Sequence, residues 1–143
     1  MHPFPHRYSV SALAASSGVV TLRSKDLEDV QSTPPPEFGG PEGNWSPETL
    51  FVAAVADCFV LSFRAVAGAS RLEWLEIDCG AEGVLEKTDT GMRFTHINLD
   101  VHLRVPAGSD ISRAERLLEK AEKACLISNS LKSEVHLNLR VSA

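Results

Sequence analysis

The sequence predicts an α+β fold: one domain over residues 1–143, with an antiparallel sheet and two principal helices. Three observations indicate this. Apolar and polar residues alternate in 74–86 and 95–105, as in half-buried strands. The segment 46–66 is almost entirely apolar and opens with helix-start residues. Apolar residues in 111–126 recur every three or four positions, as on one face of a helix.

Composition and charge narrow the function classes. The 43% hydrophobic and 23% charged residues are ordinary for a soluble globular protein. A net charge of -5 without any basic tract argues against a nucleic-acid partner. The N-terminus lacks a secretory signal pattern, and Asp57 and Arg64 inside a short apolar run weaken a membrane-span interpretation of 46–66. We therefore expect a cytoplasmic protein.

The first 45 residues are predicted to hold two short strands and a long loop. Strands at 7–14 and 19–22 flank a turn of Ser16, Ser17 and Gly18. Residues 24–45 have no periodic run and are rich in Pro and Gly, which predicts a loop. Loops of this length in compact domains are often functional.

The central helix is predicted over 46–66. Ser46 suits the N-cap, Pro47 the first helical position, and Glu48 places an anion near the positive end of the helix dipole. Gly68 is a plausible terminator. A helix apolar on nearly every side is normally buried, so Cys58 in its middle is expected inside the protein.

The rest of the chain supplies a hairpin, a second helix and a last strand. The hairpin turns at 88–91, and its first strand carries Cys79 on the apolar face, which indicates a packing role. In the helix 111–126 the apolar stripe ends with Cys125, so that thiol is expected to face the core. A final strand is predicted over 134–141.

Two of the three cysteines therefore lie on predicted helices, and two interpretations of them stay open. Helix packing could bring Cys58 near Cys125, which would allow a redox pair. Free cysteine is also among the most buried residue types, so both could be inert core thiols. Three scattered cysteines are too few for a secreted disulfide scaffold, and no His, Cys or acidic grouping has metal-ligand spacing. We therefore expect no bound metal or cofactor.

Two segments resemble known cysteine motifs. The segment PEFGGPEGNWSPETLFVAAVADCF resembles the first motif of the OsmC/Ohr family of organic hydroperoxide reductases, and KACLISNSLKSEVHLNL resembles the second. The resemblance implies an OsmC-like fold, an intertwined homodimer and a thiol-dependent peroxidase that prefers organic or fatty-acid hydroperoxides. It also implies an external dithiol reductant, such as a lipoyl-type dithiol.

The resemblance assigns roles to particular residues. Cys58 matches the peroxidatic cysteine, Cys125 the resolving cysteine, and Glu48 the acidic partner of the site. An apolar wall for the substrate is expected from side chains near Cys58, although some of them must belong to the core. The candidates are Phe51, Val55, Phe59, Leu61 and Phe63.

The thiol activator is harder to assign. Family members of the Ohr type place an arginine in the N-terminal hairpin, but the matching position falls near Ser16 or Ser17. Arg23 and then Arg7 are the nearest candidates. Asp57, directly before Cys58, is expected to raise the thiol pKa, because a nearby anion disfavours a thiolate.

Two functions of different classes follow. The first is a dithiol peroxidase that works through a Cys58 sulfenic acid and a Cys58–Cys125 disulfide. The second is a non-catalytic, dimeric ligand-binding protein with the same fold and inert thiols. The pair of cysteines favours the first, and the missing arginine together with Asp57 favours the second.

Overall fold

The computed structural model describes all 143 residues, which form two compact units, residues 1–50 and 51–143. The first unit holds a three-stranded antiparallel sheet in the order β1 (Ser11–Ala14), β2 (Val20–Arg23), β3 (Val30–Ser32). A 3₁₀ turn follows at Pro36–Phe38. The two predicted N-terminal strands are present, although the first begins later, at Ser11.

The prediction of a loop throughout 24–45 is wrong, because β3 and the 3₁₀ turn lie within it. Strand β3 has only three residues, Val-Gln-Ser, which is too short to display an alternating pattern. Its place is set by pairing with β2, where Thr21 lies opposite Gln31. Such a contact between distant segments leaves no local signal in the sequence.

Helix α1 (Pro47–Ala69) leads into the second unit and is one continuous helix. The second sheet has the order β4-β5-β6, and β4 pairs antiparallel with β5 as predicted. A helical connection separates β5 from β6. The elements after α1 are β4 (Glu76–Thr88), β5 (Gly91–Arg104), α2 (Ile111–Ala124), α3 (Leu126–Asn129) and β6 (Glu134–Ser142).

Strand β6 corrects the expectation of a fully antiparallel sheet. It pairs parallel with β5, with His96 opposite Glu134 and Arg104 opposite Ser142. The physical reason is the connection: α2 and α3 carry the chain back along the sheet, so β6 starts at the same end as β5. The α+β class and the two principal helices are confirmed by the structure.

The core of the second unit lies between the inner face of the β4-β5-β6 sheet and helices α1 and α2. Alternate residues of β5 point into it, as the period-two pattern predicts. Cys79 on β4 packs against its edge. The buried residues are Val55, Phe59, Phe63, Ala67, Ile97, Leu99, Val101, Leu103, Val105, Ala114, Leu118 and Ala121.

Within this chain, helix α1 is buried along one side only. Its buried residues, Val55, Phe59, Phe63 and Ala67, recur every four positions and form one stripe. Other sides remain open, and Leu61 is 51% exposed. Helix α1 is long enough and apolar enough to cross a membrane, with a mean hydropathy of 2.0. The core helices of soluble proteins meet the same two criteria.

Helix α2 ends earlier than predicted, and this break positions Cys125. Asp110 caps its start by accepting a hydrogen bond from the Arg113 N–H at 2.9 Å. At Cys125 the backbone becomes extended, with φ -66° and ψ 109°, and the four-residue helix α3 starts directly afterwards. Cys125 therefore lies at the corner between α2 and α3, as the residue that joins the two helices, and it is not inside the single helix that was predicted.

Candidate active site

Cys58 projects from a side of α1 that the core does not cover. Ala54, Leu61 and Ala65 share this side, because all three are spaced from Cys58 by three, four or seven positions. The side borders a solvent-open cavity of about 510 Å³. The cavity is lined by Ala54, Asp57, Cys58, Leu61, Ser62, Ala65 and Ile127.

Cys125 lies near Cys58, on the buried side of the site. It is 0% exposed, and its sulfur accepts a hydrogen bond from the Ser128 hydroxyl at 3.2 Å. Ile127, two residues further on, lines the cavity beside Cys58. The corner between α2 and α3 thus contributes both a buried thiol and part of the cavity wall.

The structure brings the two thiols together and lowers the pKa of Cys58. Partial burial acts to raise this pKa, but hydrogen bonds to the sulfur outweigh it. They come from the backbone of Ile127, the Cys125 thiol, the Ser62 hydroxyl and the backbone of Leu126. The Ser62 hydroxyl lies 3.9 Å from Cys58 Sγ. Each of these donors stabilises the thiolate, which is the nucleophilic form.

The pKa of Cys125 moves in the opposite direction. Burial raises it most, and the hydroxyl and backbone N–H of Ser128 partly offset the rise. The hydrogen bond to Cys58 and the negative charge of its thiolate raise it further. Of the two thiols, Cys58 therefore ionises more readily and Cys125 less readily, which is the order that a nucleophile and a reserve thiol require.

Cys79 stays outside this arrangement. Burial raises its pKa to about 11, with smaller contributions from the charges of Asp78, Cys125 and Asp100. It packs against the core from β4, in agreement with its position on the apolar face of that strand. A thiol with so high a pKa is almost fully protonated at neutral pH and is a poor nucleophile.

Glu48 lies in the first turn of α1. Ser46 and Thr49 cap this end reciprocally: the Ser46 hydroxyl accepts from the Thr49 N–H at 3.1 Å, and the Thr49 hydroxyl accepts from the Ser46 N–H at 2.9 Å. One carboxylate oxygen of Glu48, Oε2, is buried and has no hydrogen-bond partner in this chain. A buried carboxylate oxygen without a donor is costly, so a donor from elsewhere would stabilise it.

Both arginine candidates, Arg23 and Arg7, lie in the N-terminal unit, residues 1–50. Arg23 forms a salt bridge with Asp29, with Nη2 2.7 Å from Oδ2. Arg7 is exposed. The groups that shift the pKa of Cys58 do not include Asp57, so the expectation that Asp57 raises this pKa is wrong. Asp57 lines the same cavity, but it is exposed and solvent screens its charge.

The predicted substrate wall also needs correction. Val55 and Phe59 are 0% exposed and belong to the core stripe of α1. Phe51 stacks on Phe94, with ring centroids 4.8 Å apart, and does not line the cavity. Sequence proximity to Cys58 suggested these side chains. Helical rotation turns Val55 and Phe59 toward the core, whereas Phe51 lies two turns before Cys58 and packs on Phe94. Of the other two residues proposed for the wall, Leu61 lines the cavity and Phe63 is buried in the core.

Sequence reasoning missed several contributors to the site. Ala54 and Ala65 line the cavity, and their spacing of four and seven from Cys58 is a partial signal for them. Ser62, at a spacing of four, carried the same signal. Ser128 lies three residues after Cys125, but nothing in the pattern indicated that α2 would end at Cys125 and turn its side chain toward this hydroxyl.

The fold and the site together define an α+β dithiol protein, in which two neighbouring thiols share hydrogen bonds and only one has a lowered pKa. The chain belongs to the OsmC-like protein family, whose model matches residues 39–140. It is 33% identical over 106 residues to peroxiredoxin OsmC of Escherichia coli, covering 74% of this chain and 73% of that protein.

Two further comparisons extend this result. The chain is 28% identical to the organic hydroperoxide resistance protein OhrA of Bacillus subtilis, covering 94% of both proteins. Its fold matches that of an OsmC-like protein of unknown function from Vibrio cholerae with a TM-score of 0.87. That match covers 95% of this chain and 100% of the other at 22% identity, so it supports the fold alone.

Proposed function

We propose that the protein is a thiol-dependent peroxidase that reduces organic or fatty-acid hydroperoxides to alcohols. The observation that carries the proposal is the Cys58 thiol, which has a lowered pKa, a second thiol close enough to shift that pKa and an apolar cavity beside it. The printed names of the relatives, a peroxiredoxin and an organic hydroperoxide resistance protein, point to the same hydroperoxide-related function.

The first step consumes the peroxide. The Cys58 thiolate attacks the distal oxygen of the hydroperoxide, the O–O bond breaks, and an alkoxide leaves and takes up a proton to become the alcohol. Cys58 becomes a sulfenic acid. Donors from Ile127, Ser62 and Leu126 hold the thiolate in place, while Leu61 and Ala65 offer the apolar surface that an alkyl chain would cover.

The second step converts the Cys58 sulfenic acid into a disulfide. Cys125 attacks the Cys58 sulfenic acid, the S–O bond breaks, and hydroxide leaves as water with the proton of Cys125. An external dithiol then reduces the Cys58–Cys125 disulfide by two exchange steps and is itself oxidised to a disulfide. We expect a lipoyl-type or other small dithiol in this role and a homodimer in the cytoplasm.

A second candidate is a non-catalytic, dimeric OsmC-like ligand-binding protein. Its support comes from the sequence: the hairpin position where Ohr-type members place an arginine falls near Ser16 or Ser17, and neither is basic. In that case the cavity would bind an apolar ligand and the thiols would be inert.

Steady-state consumption of cumene hydroperoxide with a dithiol reductant separates the two candidates. The peroxidase should consume it faster than hydrogen peroxide, because the cavity wall is apolar. Cys58→Ala should abolish consumption, and Cys79→Ala is the matched control that should retain it. If neither peroxide is consumed in a Cys58-dependent way, the binding protein is the correct candidate.

A further inference from the structure

Ser128 makes a hydrogen bond that plain packing does not require. Its hydroxyl donates to Cys125 Sγ at 3.2 Å, in a region where Ser128 is 7% exposed and Cys125 is 0% exposed. A buried hydroxyl must find an acceptor, and a neutral thiol sulfur is a weak one. A thiolate is a much stronger acceptor, because hydrogen bonds to charged groups are about twice as strong. The contact is therefore best suited to Cys125 in its ionised form.

We propose that Ser128 is a positioning residue for disulfide formation: its hydroxyl stabilises the Cys125 thiolate while that thiolate attacks oxidised Cys58. The inference rests on the proposed peroxidase function and adds a residue to its second step. Ser128 does not touch the peroxide, since the cavity beside Cys58 is lined by Ile127 and residues of α1 but not by Ser128.

The groups around Cys125 also determine at which stage of the reaction its thiol ionises. While Cys58 is a thiolate, its negative charge and its hydrogen bond raise the pKa of Cys125 beyond the rise caused by burial. Attack on the peroxide turns Cys58 into a neutral sulfenic acid, so that charge disappears. The hydroxyl and backbone N–H of Ser128 remain beside Cys125. Cys125 thus ionises more readily only after Cys58 has been oxidised.

The expected effect of the hydroxyl is modest but measurable. A hydrogen bond to a charged group changes a thiol's ionisation by about ten- to hundredfold. Nucleophilicity falls as pKa falls, with a Brønsted coefficient of about 0.4–0.5, so roughly half of the logarithmic gain is lost. At neutral pH, where Cys125 is mostly protonated, removal of the hydroxyl should slow disulfide formation by about three- to tenfold.

Single-turnover kinetics with one equivalent of cumene hydroperoxide test the proposal. Dimedone trapping measures the Cys58 sulfenic acid, and mass spectrometry of unreduced peptides measures the Cys58–Cys125 disulfide. In Ser128→Ala, sulfenic acid should form at the wild-type rate, while disulfide formation slows by about three- to tenfold. Ser128→Thr should restore the rate, because it retains a hydroxyl.

Ser130→Ala is the matched control. Ser130 is a nearby exposed serine whose hydroxyl donates to the Leu126 carbonyl at 2.9 Å and not to Cys125. This variant should form the disulfide at the wild-type rate. If Ser128→Ala folds poorly, Ser128→Gly removes the same hydroxyl and gives the same comparison. A structural defect would slow both steps, whereas loss of positioning slows only the second.

Disulfide formation at the wild-type rate in Ser128→Ala would overturn the inference while leaving the peroxidase intact. A slowing that Ser130→Ala reproduces would overturn it as well. Wild-type protein that forms no sulfenic acid at all would overturn the proposed function, and this inference with it. The three outcomes are distinguishable because the two steps are measured separately.

Discussion

The thiols of Cys58 and Cys125 each shift the pKa of the other, although one lies in the middle of α1 and the other between α2 and α3. Their environments push the pKa of Cys58 down and that of Cys125 up. Cys79, on β4, has a pKa of about 11. The three cysteines of the chain therefore differ in chemistry, and this difference can be measured.

The first prediction concerns the disulfide. Peroxide treatment should join Cys58 to Cys125 within one chain and leave Cys79 free, because only the first two are direct partners. Mass spectrometry of unreduced peptides identifies the bridge, and separation under non-reducing conditions shows whether it lies within one chain. A bridge that contains Cys79, or one between subunits, would show that the pairing is wrong.

The second prediction concerns pH. Since the pKa of Cys58 is below its usual value of 9.0, its alkylation by iodoacetamide should stay fast at a pH where a free cysteine is already protonated. Cys79 should react only as the pH approaches about 11. Peptide-resolved alkylation between neutral and alkaline pH measures both.

Matched variants test the cause of this shift. In Cys125→Ala, the Cys58 pKa should rise, because one hydrogen-bond donor to its thiolate is lost. In Cys79→Ala it should stay where it is. An alkylation profile of Cys58 that coincides with that of free cysteine would contradict the lowered pKa and favour the inert-thiol alternative.

The third prediction concerns packing of α1 on the sheet. A Cβ added at Gly83 would lie 2.6 Å from Val52 Cγ2 and 2.9 Å from Phe94 Cε1, so Gly83→Ala must displace both neighbours. Overpacking of this kind costs about 1–3 kcal/mol. Urea denaturation should show that loss in the free energy of unfolding.

Gly80→Ala is the control for the third prediction. It lies on the same strand, but its added Cβ would meet only the Asp100 carbonyl oxygen at 3.7 Å, an ordinary contact. Its stability should therefore not fall, since alanine is less costly than glycine in a strand. Equal stability of Gly83→Ala and the wild type would show that α1 packs less closely on β4 than described.

The fourth prediction concerns Glu48 and assembly. Glu48 and Cys58 are ten residues apart in one continuous helix, which corresponds to about 15 Å along its axis. A glutamate side chain cannot span that length, so any Glu48 at a Cys58 site must come from a partner subunit. Light scattering should accordingly show a homodimer, and a stable monomer at micromolar concentration would contradict this.

Subunit mixing tests the role of Glu48 directly. Glu48→Ala and Cys58→Ala homodimers should each have little peroxidase activity. Refolded together, they form mixed dimers in which one site combines an intact Cys58 with an intact Glu48 from the other chain, and activity should return in part. If mixing restores nothing although mixed dimers form, Glu48 does not act across the interface and its role is confined to the end of the helix.

Much of the second unit could be predicted from the sequence because its elements are long and strongly periodic. The hairpin alternates over many residues, and α1 carries its own start signals, so both were predicted to within a few residues. Strand β3 could not be, because three residues carry no period. The direction of β6 could not be either, because alternation is the same for parallel and antiparallel strands.

Some residues of the candidate site could likewise be proposed from the sequence, and others could not. The two cysteines and Glu48 were proposed as site residues from the sequence, through motifs that resemble those of a known family. The predicted substrate wall was mostly wrong, since the sheet covers the Val55–Phe59 stripe of α1 and leaves the Ala54–Leu61 side open. Which side of an apolar helix stays open depends on what packs against it, and that information is not local.

The α+β class and the main helix with its cap follow from residue type and spacing along the chain, and the resemblance to a known family proposes Cys58 and Cys125 as a redox pair. The end of α2 at Cys125, the hydrogen bond from Ser128 to this sulfur and the lowered pKa of Cys58 depend on tertiary packing. The pKa of a thiol depends on burial and on donors within a few ångströms, and those neighbours come from separate parts of the chain.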